Sequence, residues 1–158
     1  MLTPQFDNTV ARAVGSNWRV SGIFRANSGE PLSVTVTTDP AGTGIGSQRA
    51  NLVGDPYADK TPSSYLNPAS FTIPTPGSYG DQRRGSFTGP ADKTIDVAVV
   101  RAFRFGTQRI EARIESFNAL NWTRLNNPGT NRNATATFGR ITSAREPRVM
   151  QFALKYSF

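Results

Sequence analysis

Hydrophobic and polar residues alternate along several stretches of the chain, most regularly at its C-terminal end. Within residues 148–158, the even positions from 150 onward carry bulky apolar side chains and the odd positions from 151 onward carry small or polar ones. This period of two predicts a β-strand with one apolar face and one polar face. Strands of transmembrane β-barrels have this pattern, because lipid covers one face and lumen water the other, with aromatic residues near the rim.

Residues 93–121 predict an antiparallel hairpin with a tight turn at 106–107. With that turn, Phe103 faces Ile110 and the apolar positions of both strands fall on one face. The polar face of the second strand alternates bases and acids, which we expect to line the barrel lumen and to pair with diagonal or adjacent-strand partners. These lumen-facing residues are Arg109, Glu111, Arg113 and Glu115.

Arg101 falls on the apolar face of this hairpin. An arginine at the middle of a bilayer costs about 2–4 kcal/mol and less near an interface. Because Arg101 lies four residues from the turn, its side chain is expected to extend to the periplasmic rim.

Residues 17–28 also alternate, with Trp18, Val20 and Phe24 on one face and Ile23 interrupting the polar face. This pattern predicts another strand. A second extended piece covers 32–37, and the Gly-Glu-Pro between the two is either a hairpin turn or a bulge within one long strand. Residues 1–16 have only a weak pattern and are left unassigned.

Two long segments, 39–92 and 121–146, lack the regular alternation of long strands. The first holds seven of the 11 prolines and eight of the 14 glycines, with aromatic residues recurring throughout. Disordered linkers are poor in aromatic residues, so we expect a folded loop. Long extracellular loops are typical of barrels. Within the second segment, 134–141 is expected to form a short β extension.

The composition narrows the choice of function. The net charge is +7, but the arginines are scattered and no basic cluster indicates nucleic-acid binding. The chain has no cysteine or histidine, so we expect no disulfide, no metal site and no cofactor. It has no apolar run long enough for a transmembrane helix. Its first residues do not form a signal peptide, so a barrel assignment implies that the chain is a fragment.

The acidic residues give little support for catalysis. Asp96, Glu111 and Glu115 are expected to be the only carboxylates within regular strands. Two carboxylates on one face can perform acid–base chemistry, but their alternation with arginine indicates ion pairing. We therefore expect no catalytic residue and no enzyme.

The last residues resemble the assembly signal of outer-membrane barrels, whose polar, small and two aromatic places are filled by Gln151, Ala153, Tyr156 and Phe158. Longer phrases resemble the C-terminal barrel part of TonB-dependent receptors, closest to the Oar-like group with a carboxypeptidase-regulatory-like N-terminal domain. They include NWRVSGIFRANSGEPLSV, RIEARIESFNALN and FGRITSAREPRVMQFALKYSF. The resemblance covers most of 17–158, and this family also tends to carry a basic residue at the place of Arg101.

The resemblance implies an all-β fold, with 1–158 forming the C-terminal segment of a plugged barrel of about 22 strands in the outer membrane. The chain would supply the last four to five antiparallel strands, with 39–92 and 121–146 as extracellular loops and 106–107 as a periplasmic turn. Its implied partners are outer-membrane lipid, the barrel-assembly machinery, an unknown ligand, and TonB through a plug domain absent from this chain.

Five loop residues are weak candidates for contacting that ligand, although stabilising the loop is the expected role of each. They are Tyr57, Tyr65, Tyr79, Arg83 and Arg84. An alternative function is an extracellular β-sandwich module that binds carbohydrate or protein through Trp18, Trp122 and the loop tyrosines.

Overall fold

A computed structural model describes residues 15–158, and the unassigned segment 1–16 therefore lies almost wholly outside the described residues. The described chain has an all-β fold, as predicted, and its strands are accompanied by a 3₁₀ turn at Pro68–Ser70. Within it no helix has the length and apolar character needed to cross a bilayer.

The described strands are as follows in chain order: β1 (Trp18–Asn27), β2 (Pro31–Leu32), β3 (Thr35–Val36), β4 (Gln48–Arg49), β5 (Asn51–Leu52), β6 (Tyr57–Thr61), β7 (Ser64–Leu66), β8 (Phe71–Thr72), β9 (Phe87–Thr88), β10 (Asp92–Phe105), β11 (Gln108–Phe117) and β12 (Val149–Ser157). The chain divides into two compact units. The strand unit comprises 15–25, 93–122 and 146–158, and the loop unit comprises 26–92 and 123–145.

The long strands form a four-stranded sheet in the order β1-β10-β11-β12. The hairpin register is confirmed, since Phe103 pairs with Ile110 and Phe105 pairs with Gln108 across the predicted turn. Gly106 occupies the turn with a φ of 59°, a conformation that glycine adopts without steric cost. The terminal strand continues the same apolar face, because Tyr156 pairs with Ile110.

One face of this sheet exposes large apolar side chains. Phe152 is 68% exposed and Leu154 is 75% exposed in the middle of β12. Val20 and Phe24 of β1 are exposed in the same way. A water-facing sheet would place such side chains against a core, so their exposure is the arrangement that a lipid-facing barrel wall requires.

β11 ends at Phe117 because the next residue turns the chain. Asn118 is buried and has a φ of 51°, which asparagine tolerates better than most residues. Its side-chain amide donates to the carbonyl of Trp122 at 2.9 Å and accepts from the Trp122 N–H at 3.0 Å. The strand therefore ends before the predicted hairpin, which extended to residue 121.

The loop unit has its own hydrophobic core, which confirms that 39–92 is a folded loop. Four two-stranded ladders surround this core: β2–β9, β3–β4, β5–β8 and β6–β7. Val34, Leu66 and Phe71 are almost completely buried within it. Phe138 and Ile141, from the second predicted loop, belong to the same core, so the two loops fold together.

Two local expectations were wrong. The segment Gly29-Glu30-Pro31 is neither a hairpin turn nor a bulge, because β2 pairs with β9 and β3 pairs with β4 instead of with β1. Residues 134–141 form turns with an isolated bridge at Phe138 and no β extension. In both places the backbone bonds to distant segments of the loop unit, and a local sequence pattern does not record such partners.

Candidate functional site

The polar face of β11 carries the four residues predicted to line a lumen. All four lie on one face, since Glu111 pairs with Ala102 and Arg113 with Val100 in the register with β10. Their ion pairs run along the strand, with N–O distances of 2.6 Å for Arg109–Glu111 and 2.8 Å for Arg113–Glu115. The expectation of diagonal or adjacent-strand partners was therefore wrong for these pairs. Exposed pairs of this kind contribute about 0–1 kcal/mol each.

A second polar cluster on this face connects three strands, and the sequence reasoning missed it. Asp96 of β10 forms an ion pair with Arg25 of β1. Its other carboxylate oxygen accepts a hydrogen bond from the Asn118 N–H at 2.9 Å, just after β11. Period-two alternation places Arg25 and Asp96 on polar faces but does not show that β1 and β10 are neighbours.

A groove of about 310 Å³ lies over β1, β10 and β11 on the same face. Its charged lining consists of Arg25, Asp96, Arg113 and Glu115, with Ile23 and Phe117 among the apolar residues. Each charge in the groove belongs to an opposite-sign pair. The groove therefore offers positively charged hydrogen-bond donors and negatively charged acceptors. Such a lining suits a water-filled passage or a polar solute.

The expectation that only three carboxylates lie within strands was wrong. Asp59 lies in β6 and Asp92 begins β10. Asp92 accepts hydrogen bonds from Asn27 at 3.1 Å and from Arg124 Nε at 2.9 Å, within the loop unit. These contacts give Asp92 the role of holding neighbouring segments together.

Of the candidate ligand-contacting residues, Tyr65 lies in the core of the loop unit and Tyr57 packs against that core. The rings of Tyr57 and Tyr65 meet edge to face with centroids 6.0 Å apart. The Tyr57 hydroxyl accepts from the Thr88 N–H at 2.9 Å, and the Tyr65 hydroxyl donates to the Thr88 carbonyl at 3.4 Å. Both hydroxyls therefore bind the backbone of β9, and these tyrosines stabilise the loop.

The other three candidates are exposed on one short segment. Tyr79 is 70% exposed, and Arg83 and Arg84 are also exposed. Asp81 holds this segment against β5, because its carboxylate accepts from the Leu52 N–H at 2.8 Å. The loop unit thus presents one aromatic and two guanidinium groups on a fixed backbone.

Gln82 fixes the same segment from inside, and sequence reasoning missed it. It is 2% exposed, and its side-chain carbonyl accepts from the Val34 N–H at 3.0 Å. Its backbone N–H donates to the Ala50 carbonyl at 3.3 Å. Gln82 lies in the polar run Asp-Gln-Arg-Arg, so no local signal marks it as a core residue.

Two titratable groups of the loop unit outside β10 have shifted pKa values. Burial raises the pKa of Tyr65, and the neighbouring Tyr57 adds to the shift. For Asp39, partial burial raises the pKa, but hydrogen bonds from Thr43 and Gly44 outweigh it and hold the pKa below its ordinary value. The Asp39 carboxylate therefore closes a local turn, and neither group lies in an arrangement suited to acid–base catalysis.

The four residues of the predicted assembly signal are spread along the last strand, and Tyr156 and Phe158 are the two that lie near the hairpin turn. Gln151, Ala153 and Tyr156 belong to β12, and Phe158 follows it. Phe158 is 97% exposed, and its ring lies 5.8 Å from that of Tyr156. The two aromatic residues therefore form an accessible terminal pair.

The structure gives Arg101 a position that the sequence did not predict. Its guanidinium lies 4.9 Å from the centre of the Trp18 ring and 4.4 Å from that of Phe103. Cation–π contacts of this kind contribute about 0.5–2 kcal/mol. Arg101 is thus held between two aromatic rings on the apolar face.

Comparisons with known proteins bear on the fold and the family. No curated protein and no solved structure gives a significant match to the chain. The family described as "Outer membrane beta barrel domain" matches residues 2–151, which is nearly the whole chain. The sheet, with its exposed apolar face and its polar, ion-paired opposite face, is the wall that this family builds. The chain therefore belongs to the outer membrane β-barrel family, whose proteins lie in the outer membrane of Gram-negative bacteria.

Proposed function

We propose that this chain is the terminal part of the barrel of a TonB-dependent outer-membrane receptor, of the Oar-like kind. In that role it contributes barrel wall, ligand-facing external loops and a C-terminal assembly signal. The observation that carries the proposal is the four-stranded sheet, whose apolar face is exposed along its length and whose last strand ends in an accessible aromatic pair.

The strand lengths support a membrane-crossing role. β1, β11 and β12 contain 10, 10 and 9 residues. A tilted strand needs about 9–11 residues to cross a bilayer. β10 has 14 residues, enough to cross and to continue beyond the hydrocarbon region.

The unpaired edges of the sheet favour the proposal that the chain is part of a larger barrel. Within the described residues, β1 and β12 each have a single neighbouring strand. Unpaired backbone groups are costly in lipid, because no water is present to bind them. The smallest usual barrel has about eight strands, so four strands serve as a wall only when further strands pair with both edges.

The structure of the loop unit favours the function of a receptor over that of a simple pore. It has a packed core and presents Tyr79, Arg83 and Arg84 on a backbone fixed by Asp81 and Gln82. Rigid loops that display exposed aromatic and basic side chains are suited to binding a polar ligand. In this proposal the chain has no enzymatic role and does not bind nucleic acid, and TonB acts through a plug that this chain does not supply.

The alternative function, an extracellular β-sandwich, agrees less well with the sheet. A sandwich buries the apolar face of each sheet against a second sheet about 10 Å away. Here Phe152 and Leu154 are more than two-thirds exposed. No observation on the loop tyrosines favours a carbohydrate site, because Tyr57 and Tyr65 pack within the loop unit.

The assembly role can be tested on a receptor that carries this segment. Deleting Phe158 is expected to lower its level in the outer membrane severalfold, because the terminal aromatic pair is lost. Phe158→Tyr keeps an aromatic ring and is the matched control, for which near-normal levels are expected. Surface labelling and membrane fractionation measure the outer-membrane level of both variants. Normal surface levels after the deletion would contradict the assembly-signal assignment.

A further inference from the structure

Arg49 brings a third guanidinium to the exposed segment that carries Arg83 and Arg84. Its Nε donates to the Gln82 carbonyl at 2.9 Å, and the carbon of that carbonyl is bonded to the backbone nitrogen of Arg83. Gly80 permits this approach, because a Cβ there would collide with the backbone carbonyl of Arg49. The three arginines therefore extend from adjacent backbone in one part of the loop unit and form the arginine cluster.

The guanidinium groups of the arginine cluster keep most of their donors open. All three side chains are exposed, and none of them forms an ion pair with another residue that the structure describes. Arg49 uses its Nε for the Gln82 carbonyl, which leaves both of its terminal nitrogens for a ligand. Arg83 and Arg84 have no side-chain partner among the described residues. The cluster can therefore donate hydrogen bonds to an anion without breaking existing ones.

Two acidic side chains lie close to this part of the loop unit. Asp81 belongs to the same segment, and its carboxylate accepts from the Leu52 N–H at 2.8 Å. Asp39 accepts a hydrogen bond from the side chain of Gln48. Successive side chains of a strand point to opposite faces, so Gln48 and its partner Asp39 lie on the other side of β4 from Arg49. Asp81 is therefore the acid that offsets one of the three positive charges.

The remaining charge and the open donors match a phosphate monoester. Such a group carries about −1.5 to −2 charges at pH 7 and has three strong acceptor oxygens. Guanidinium forks bind phosphate oxygens in pairs. A single carboxylate has one charge and two oxygens, so it would leave part of the cluster without a partner.

We propose that the arginine cluster is a ligand site and binds the phosphate monoester group of the ligand. This inference rests on the proposed function, because it names the chemical class of ligand that the external loops contact. Tyr79 lies on the same segment and is 70% exposed, so its ring is available to the rest of the phosphorylated molecule. Hydrogen bonds from Asp81 and Gln82 hold the backbone of the segment in place, which lowers the entropy lost on binding.

The test uses a receptor that carries this segment, purified in detergent. Glycerol 3-phosphate is titrated by calorimetry, with glycerol as the uncharged counterpart. Arg83→Ala and Arg84→Ala are each expected to weaken binding about tenfold, because each removes charge-assisted hydrogen bonds. Arg140→Ala is the matched control, since Arg140 is also exposed in the loop unit but its backbone bonds to Gly129. No change is expected for it.

Two further variants separate ligand binding from a role in folding alone. Asp81→Asn keeps an oxygen for the Leu52 N–H and removes the negative charge, so binding is expected to tighten about threefold. Loss of a merely structural contact would not tighten binding. Arg49→Lys keeps the charge without the planar fork and is expected to weaken binding about threefold.

A soluble solute and a lipid headgroup can both supply a phosphate monoester. A short-chain phosphatidic acid is therefore titrated in parallel with glycerol 3-phosphate. Tighter binding of the phosphatidic acid would identify a lipid as the source, and equal or weaker binding would identify a soluble solute; both results support the site. Succinate, a dicarboxylate, is expected to bind at least about tenfold more weakly, and equal binding of succinate would overturn the assignment to phosphate.

Three other outcomes would overturn the proposal. They are no binding of either phosphate ester by the wild-type receptor, no loss for Arg83→Ala, and equal losses for Arg83→Ala and Arg140→Ala. Heat-dependent migration in gels checks that each variant is folded. A receptor that reaches the outer membrane but binds no phosphate ester contradicts only this inference. A chain that is a cooperatively melting monomer without detergent contradicts the proposed function, whatever it binds.

Discussion

At the scale of single residues, the loop unit depends on a buried glutamine in a polar run. Gln82 accepts from the Val34 N–H, and its side-chain N–H donates to Ser86 Oγ at 3.3 Å. Buried polar groups stabilise a fold only when their partners are present. The aromatic core could be anticipated from recurring tyrosines and phenylalanines, but Gln82 could not, because its partners are distant in sequence.

Gln82→Leu is expected to destabilise the loop unit by about 1–3 kcal/mol, because the Val34 N–H remains buried without its acceptor. Hydrogen exchange of a receptor that carries this segment measures this as faster exchange at Val34 and Ala50. Gln108→Leu makes the same change at an exposed position of β11 and should leave these rates unchanged. Unaltered protection in the Gln82 variant would show that this hydrogen bond is dispensable.

At the scale of elements, the long strands could be predicted and the short ones could not. A period of two over ten residues and a two-residue turn determine the register of β10 and β11, and each predicted pair between these two strands was found. Ladders of two residues, such as β2–β9, have no period to detect. The adjacency of β1 and β10 depends on pairing across the 64 residues between them, which local pattern does not specify.

The two faces of β12 lead to an element-scale prediction. Phe152 pairs with Ile114 on the apolar face, near the middle of the sheet, and Gln151 pairs with Glu115 on the polar face. Phe152→Arg is expected to cost about 2–4 kcal/mol in lipid, as for an arginine near the bilayer midplane. Urea unfolding of a receptor that carries this segment, folded in phospholipid vesicles, measures this cost.

Gln151→Arg is the matched control, since it adds the same charge one residue away. Its guanidinium lies opposite Glu115, so a change of less than about 1 kcal/mol is expected. Equal effects of the two substitutions would mean that the faces of β12 do not have different surroundings.

At the scale of the whole molecule, the candidate ligand-contacting residues separated into two groups that only the structure distinguishes. The sequence places Tyr57, Tyr65 and Tyr79 in the same kind of segment. The structure buries Tyr65, half-buries Tyr57 and exposes Tyr79. Aromatic composition indicates that a loop is folded, but it does not tell which rings form the core and which contact solvent.

The exposed apolar face also governs the behaviour of the isolated chain. Expressed alone without detergent, the chain is expected to aggregate, because the apolar side chains and the open edges of β1 and β12 promote association. Detergent should prevent this aggregation by covering the apolar face, although the strand edges stay unpaired without the rest of the barrel. Size-exclusion chromatography with and without detergent is the measurement. A monomer in plain buffer that melts cooperatively would contradict the barrel assignment and favour the β-sandwich.

The shared core of the two loops has a consequence for the order of folding. Thr37 donates its N–H to Asn133 at 2.9 Å, although 96 positions separate the two residues. Contacts between residues far apart in sequence form slowly, because closing a long chain segment costs entropy. The chain is synthesised from its N-terminus onward. The first loop therefore lacks two of its core residues, Phe138 and Ile141, until the β10–β11 hairpin that precedes them has been made. The loop unit therefore completes its core only after that hairpin has been synthesised.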